Sequence, residues 1–422
     1  MLLTIPAFDN KNIASITLAL MFAFAFIGLS PIAVMDDSNK ALDEMGGSSL
    51  LRQVVYLVFF AVSFVCYKSR INPNDFKKCL SLWLLLGWCL LSVFWADHPS
   101  ISLRRVSLLF ITTATVFMLI NTLSFDQVIS SISKVLAGMI VVSVISVFFI
   151  SGAVHTGAEL LDSELVGNWK GIFIHKNHAG PALVFAIALF LFNFQRTKRY
   201  GWLVMVILSL IFLFFTKSKT SMALLVPCLA FGFCMYKLTL HEGLKRAVTV
   251  MFFVCLTAFI VLIPTLLEFF IALFDNPEAF TGRATIWNMV YLLIQDHFWF
   301  GIGFGSVWSV GEDMRLVDYA TGWVDWVFTL THAHNGYLEI FAATGFVGFL
   351  LCIVALVITP FLKGISNAFY DSRFIFLYFT TFLFFVLHNL LEADYLNAAD
   401  GRWLIILIMH FCLYLKNERS ML

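Results

Sequence analysis

The sequence predicts an all-α, polytopic membrane protein of about twelve transmembrane helices whose site is capped by one long external loop. Three observations carry this. The chain of 422 residues is 60% hydrophobic and 13% charged with a mean hydropathy of +0.90, which leaves too little polar surface to coat a soluble globule. Apolar runs of roughly 17–25 residues, the length that spans a bilayer, recur throughout. Phe contributes 47 residues and Trp 11, as suits lipid-facing helices and interfacial belts. A net charge of +1 with no basic tract argues against nucleic acid as a partner.

The apolar runs fall near 13–34, 53–67, 79–95, 106–123, 133–151, 179–194, 201–216, 220–236, 247–272, 335–359, 374–391 and 402–416. The first begins well inside the chain and lacks a small-residue cleavage site, so it is expected to remain as a span rather than be removed as a signal peptide. With a cytoplasmic N-terminus, the even-numbered loops and both termini hold 16 of the 27 Lys and Arg against 6 of the 26 Asp and Glu. That positive-inside distribution predicts both termini in the cytoplasm. The eight cysteines fall in spans or at their cytoplasmic ends, so no disulfide framework is expected.

Loop lengths are unequal. Residues 273–333 form an external loop of about 60 residues and 152–178 one of about 27, and long loops within compact domains are usually functional. With no repeat and no low-complexity tract, residues 1–422 read as a single membrane domain carrying that loop.

Several cations break the inside rule. Arg104 and Arg105 end "FWADHPSISLRR", Lys170 and Lys176 lie in "NWKGIFIHKNHAG", Lys217 and Lys219 in "TKSKTS", and Arg283 opens "RATIWNMV". Each alone could snorkel to headgroups; together with His175, His178, His332 and His334 on one face they suit an anionic substrate at the membrane surface. Arg283 stands in the first turn of a helix that Thr281 can cap, where cations are disfavoured by the helix dipole. A bound phosphate explains it, through bidentate guanidinium bonds and the helix N–H groups; a surface arginine is the alternative. The alternating glycines of "FGIGFGSVW" lack a flanking βαβ pattern and read as a tight turn or flexible loop. Trp287, Trp299, Trp308, Trp323 and Trp326 read as belt residues or as platforms for sugar faces.

His332 and His334 lead into "HNGYLEIFAATG". Without an HExxH pattern, a neighbouring cysteine or suitable carboxylate spacing, no metal or other cofactor is expected. An acid–base role fits, because imidazole titrates near neutrality. Glu339, five positions after His334, falls off its helical face and reads as a support or a sugar-hydroxyl acceptor, and Glu392 in "LLEADY" as a second sugar-binding carboxylate.

At these motifs the sequence resembles the O-antigen ligases and Wzy-type polysaccharide polymerases. "HNGYLEIFAATG" is similar to their His-Asn, nine residues, Gly pattern, "FWADHPSISLRR" to W-[SA]-x-x-P-x-x-S-x-R-R, "IFIHKNHAG" to F-x-h-K-N-x-x-G, and "GRATIW" to G-R-x-x-x-W. "GIGFGSVW" with "HNLLEADYL" looks most like the exopolysaccharide polymerase branch. The resemblance implies a GT-C type helical fold in the bacterial inner membrane. It also implies metal-independent transfer of glycan from undecaprenyl diphosphate to a glycan acceptor at the periplasmic face, among membrane lipids and assembly proteins such as a chain-length regulator. By the same resemblance His334 and Arg283 are catalytic and Lys219 lies near a substrate-binding arginine; from their chemistry and placement, Arg104, Arg105, Lys176, Asn335, Glu339, Glu392 and Trp287 are expected to bind substrate. Lys219 stands near where ligases carry arginine, and a lysine holds phosphate only as a point charge. A polysaccharide flippase of twelve spans is the reading from another class, although its polar residues would gather at the bilayer midplane.

The charge distribution predicts that the 273–333 loop faces the periplasm. In a cysteine-free background, an impermeant thiol reagent added outside should label a cysteine placed near Ser306 and spare one placed near Lys198; the reverse pattern would overturn the orientation.

Overall fold

The computed structural model describes residues 10–29, 50–156, 165–239, 244, 246–251, 254, 257, 283–320, 325–366 and 371–416. Fourteen α-helices are named within them: α1 (Asn10–Ile27), α2 (Leu50–Tyr67), α3 (Pro73–Lys78), α4 (Leu80–Leu91), α5 (Pro99–Thr122), α6 (Phe125–Phe149), α7 (Lys176–Thr197), α8 (Gly201–Thr216), α9 (Lys219–Thr239), α10 (Arg283–Asp296), α11 (Gly336–Cys352), α12 (Thr359–Ser366), α13 (Phe374–His388) and α14 (Gly401–Leu415). Seven helical stretches are long and apolar enough to cross a membrane, and four shorter apolar ones join them. These eleven correspond to eleven of the twelve expected spans. Most of the remaining run, 247–272, lies outside the described residues, as do Cys255, Thr281, Gly282 and Trp323. The protein is a multi-pass helical membrane protein, and among the described residues the extended structure amounts to one bridge, Val154 to Trp169.

The bundle has two distinguishable ends. At one, Arg196 near the end of α7 pairs with Asp126 at the start of α6 and with Asp371 before α13, while Arg373 bonds the carbonyl of Gln195. At the other, the end of α1 meets the starts of α7 and α14: Ile174 N–H donates to Phe26 O, and the Phe26 ring lies against Gly401. Between the ends, α9 packs along α13, α8 along α7 and α2 along α5. α7, α11 and α14 start at the α1 exit end with side-chain caps: His175, Asn335 and Asp400 respectively. Such caps satisfy backbone N–H groups that a helix leaves without intrahelical partners.

α11 is broken at Gly345 (φ 69°, ψ −173°), a conformation open in practice only to glycine. A broken helix strands amides and carbonyls that must find other partners in an apolar setting. The glycine-rich loop supplies them. Ile302 and Gly303 N–H donate to Ala342 and Ala343 O at 3.1 and 2.9 Å, Phe346 N–H donates to Phe298 O at 2.8 Å, and Trp88 Nε1–H donates to Thr344 O at 3.0 Å. "FGIGFG" is therefore a plug for the helix break, where the sequence suggested a ligand-approaching turn or a flexible loop. Periodicity could not reveal this, because the partner carbonyls lie about 40 residues later.

α10 and the loops after it form a small core of their own, with Met289, Val290, Leu293, Val307, Trp308, Leu316 and Val327 buried together. Trp287 and Trp308 belong inside this cap rather than in an interfacial belt; Trp299, 60% exposed, remains on the surface.

Gly345→Ala should destabilise the protein by at least the roughly 1–3 kcal/mol expected for a strained backbone position, because its Cβ would also meet the Trp299 carbonyl. Gly138→Ala in α6, where a Cβ meets nothing within 4 Å, should be neutral or stabilising. Melting temperatures of the two variants in nanodiscs check this contrast.

Candidate active site

Glu392, in the α13–α14 loop, is the hub of the site. Its carboxylate is buried, and Arg283 Nη2 lies 3.0 Å from Oε1 while Arg283 Nη1 donates to Leu391 O at 2.5 Å. Asn177 Nδ2 approaches the same Oε1 at 3.4 Å. On the other oxygen, His334 Nδ1 stands at 3.5 Å and His332 Nε2 at 3.8 Å. The starts of α7, α10 and α11 thus meet at one carboxylate, and the start of α14 lies alongside through the contact of Asp400 with His178 at 3.6 Å. Helix N-termini carry partial positive charge and favour anions.

His334 is held in the left-handed region, at φ 50°. This is uncommon for a residue with a side chain and persists where the surroundings over-determine it. They do so here. Trp287 Nε1–H donates to Ala333 O at 2.9 Å, and Ala333 N–H donates to Glu339 Oε2 at 2.9 Å. The Asn335 side chain accepts from Tyr337 and Leu338 N–H, and Gly336 N–H is shared between Asn389 O and Glu392 O. Asn335, Glu339 and Trp287, expected to touch substrate, are engaged in fixing the backbone on either side of His334.

Charge states follow from these neighbours. Burial alone would raise the Glu392 carboxyl, but His332, His334 and the Arg283 guanidinium hold it well below the usual carboxylate range. Burial, and then His332, push His334 below the ordinary histidine value even though Glu392 pulls it up. His334 is thus a neutral imidazole at pH 7 beside an anion, with Nδ1 buried and lacking a hydrogen-bond partner among the described residues. Burial, then His155 and His178, also push His175 well down. Its ring lies 4.7 Å from that of His155.

The other expected site residues are placed differently. Arg105 extends its guanidinium to the carbonyls of Gly305, Trp308 and Ser309 at 2.5, 2.7 and 3.1 Å, bonds that tie the cap to α5. Asp97 in the same motif pairs with Arg315 at 2.6 Å, and His98 N–H donates to Ser306 Oγ. The "WADHPSISLRR" stretch is in this way a clamp on the cap. Arg104 keeps a buried Nε with no hydrogen-bond partner among the described residues. Lys176 begins α7, its N–H donating to His155 Nε2 at 3.3 Å, and its side chain is half-buried. Lys219 is exposed at the start of α9, next to Ser218 and Ser221, which pack on Gly180 of α7.

His332, His334 and Glu392 offer donor atoms within 4.8 Å of one another, a spacing that a metal ion could also use. The Arg283 guanidinium on the same carboxylate opposes a dication there. Sequence reasoning missed His155, Asn177, Asp394, Asp400 and Arg402. The available signal was an arginine and two aspartates at the mouth of the last apolar run, since ionisable residues in membrane helices are rare and usually functional.

Among known proteins, residues 204–353 match the family model described as O-Antigen ligase. No curated protein matches the chain. The match runs from α8 to α11 and includes Lys219, Arg283, His334 and Glu339, while Glu392 lies beyond it. This match is consistent with the O-antigen ligase and Wzy superfamily and with a glycan-transferring membrane enzyme of the ligase and polymerase class.

If His334 is the neutral imidazole described, its reaction with diethyl pyrocarbonate, followed by mass spectrometry from pH 5 to 8, should have a midpoint below that of an ordinary histidine. Glu392→Gln removes the one charge that raises it and leaves His332 and Arg283, which lower it, so the midpoint should fall further. An upward shift would contradict the assignment.

Proposed function

We propose that the protein is a polysaccharide polymerase that transfers repeat units from undecaprenyl diphosphate to a growing exopolysaccharide or O-antigen chain at the periplasmic face of the inner membrane. The observation that carries this reading is the convergence of Arg283, His334 and several helix N-termini on Glu392 at one end of the bundle. Such a place favours an anion and holds a proton acceptor beside it.

The acceptor hydroxyl attacks the anomeric carbon of the lipid-linked sugar. The bond from that carbon to the diphosphate oxygen breaks, and its electron pair leaves with the diphosphate. Arg283 neutralises the charge that develops there. Two of its five guanidinium hydrogens are engaged by Leu391 O and Glu392, which leaves donors for phosphate oxygens. Arg104, Lys176 and Lys219 add positive charge along the same mouth. His334 takes the hydroxyl proton, and the Glu392 carboxylate stabilises the imidazolium as it forms. No step requires a metal.

A second reading, transfer of the finished glycan to lipid A core or another acceptor, is favoured by the description of the matching family. The two share a donor and differ in acceptor. A deletion strain that accumulates single repeat units on lipid is a polymerase mutant; one that accumulates full-length lipid-linked polymer is a ligase mutant. A flippase would move label across sealed vesicles without lengthening it.

With purified lipid-linked repeat units and EDTA present, His334→Ala should lose elongation by roughly 10²–10⁴ at unchanged protein level, while His332→Ala stays active. Arg283→Lys should be strongly impaired although the charge is kept, because lysine cannot reproduce the bidentate geometry. Full activity of His334→Ala or of Arg283→Lys would remove that residue from the mechanism.

A further inference from the structure

Beneath Glu392 lies a second, fully buried set of charges that the proposed reaction does not use. Arg402, in the first turn of α14, reaches two carboxylates of the α13–α14 loop. Its Nε and Nη2 bond Asp400 at 2.9 and 2.5 Å, and its Nη1 lies 2.8 Å from Asp394 Oδ1. The other oxygen of Asp394 stands 2.6 Å from His388 Nδ1. Asn389 Oδ1 accepts from the N–H groups of Asp394 and Tyr395, and its own carbonyl accepts from Gly336 N–H beside His334. Asp400 caps α14 and faces His178 of α7. The loop between these anchors also holds Leu396 buried at φ 60°, a bulky residue in a conformation kept only under constraint.

We propose that Arg402 is a positioning residue for the transfer reaction: by holding Asp394 and Asp400 together it fixes the loop that presents Glu392 to Arg283 and His334. A lone arginine in this place would be expensive, and so would two lone aspartates. Such a group is therefore a poor means of gaining stability. What it does here is define one geometry, because the planar fork engages Asp400 through two nitrogens and leaves the third for Asp394. Tyr395 and Leu396 anchor the far part of the loop in the core, whereas position 392 itself carries a carboxylate whose placement comes from these bonds. Glu392, three residues from Asn389 and two from Asp394, inherits its position from them.

The inference rests on the transferase reading, and the experiment separates the two. Arg402→Lys, Arg402→Met and Asp394→Asn are made in the full-length protein in nanodiscs, alone and combined with Glu392→Gln. Elongation of purified lipid-linked repeat units should fall on the order of 10²-fold in Arg402→Met, the scale expected when reacting groups are displaced by about 1 Å, and be partly restored in Arg402→Lys. If Arg402 acts through Glu392, adding Glu392→Gln to an Arg402 variant should cost little more than the worse single change. A merely structural role would make the losses multiply. Hydrogen exchange at residues 389–396 and at the Gly336 amide, measured without substrate, should speed up in the Arg402 variants and in Asp394→Asn. The milder Asp394→Asn carries the same two readouts where an Arg402 variant fails to fold. Multiplicative losses, or unchanged exchange in a folded variant, would overturn the inference. Loss of elongation in the wild type with faster exchange in the variants would overturn the transferase reading and leave the positioning role standing.

Discussion

The Arg283–Glu392 ion pair is the interaction on which the site depends, because it joins parts of the chain more than a hundred residues apart. Arg283 begins the cap helix, and Glu392 stands in the last interhelical loop. Each is poorly tolerated alone: a guanidinium at a helix start opposes the dipole, and a carboxylate among apolar helices opposes the solvent it has lost. Together, with the Leu391 carbonyl and Asn177, they become a compact charged centre against which two histidine-bearing segments can rest. Buried pairs of this kind contribute little net stability. Their effect is on arrangement, which the transfer proposed above depends on.

Around that centre the structure spends several side chains on backbone geometry. Asn335, Glu339 and Trp287 each bond a peptide group within two residues of His334 or in the first turn that follows it. Arg105 bonds three carbonyls of the cap. Residue types that attract attention as ligands are here instruments of positioning. Precision of this order matters where proton transfer needs heavy atoms within about 3 Å.

Much of the fold was legible in the sequence because membrane helices announce themselves through uninterrupted apolar length. Eleven of the expected spans recur with boundaries shifted by up to eight residues, and the short α4 and α14 were found because their runs are predominantly apolar, although α14 carries Arg402 and His410. Arg283, His334 and Glu392 were legible as ionisable groups at span mouths. What was not legible was pairing. Nothing local says that Glu392 rather than Glu339 meets Arg283, that Arg105 faces carbonyls, or that Arg402 collects two aspartates. These contacts join segments distant in sequence, and periodicity carries information over one helix only. The break at Gly345 was hidden for the same reason, since a glycine in an apolar run resembles many that continue helical.

The plugged break also bears on how the chain acquires its structure. The residues that receive the open carbonyls of α11, Ile302 and Gly303, precede it in the chain, so they are already synthesised when residues 342–345 emerge. A membrane helix with unpaired peptide groups is poorly suited to hydrocarbon on its own. Its second half therefore reaches its final place only with the preceding loop in contact. Span and loop mature as one unit, in an order that the chain direction itself provides.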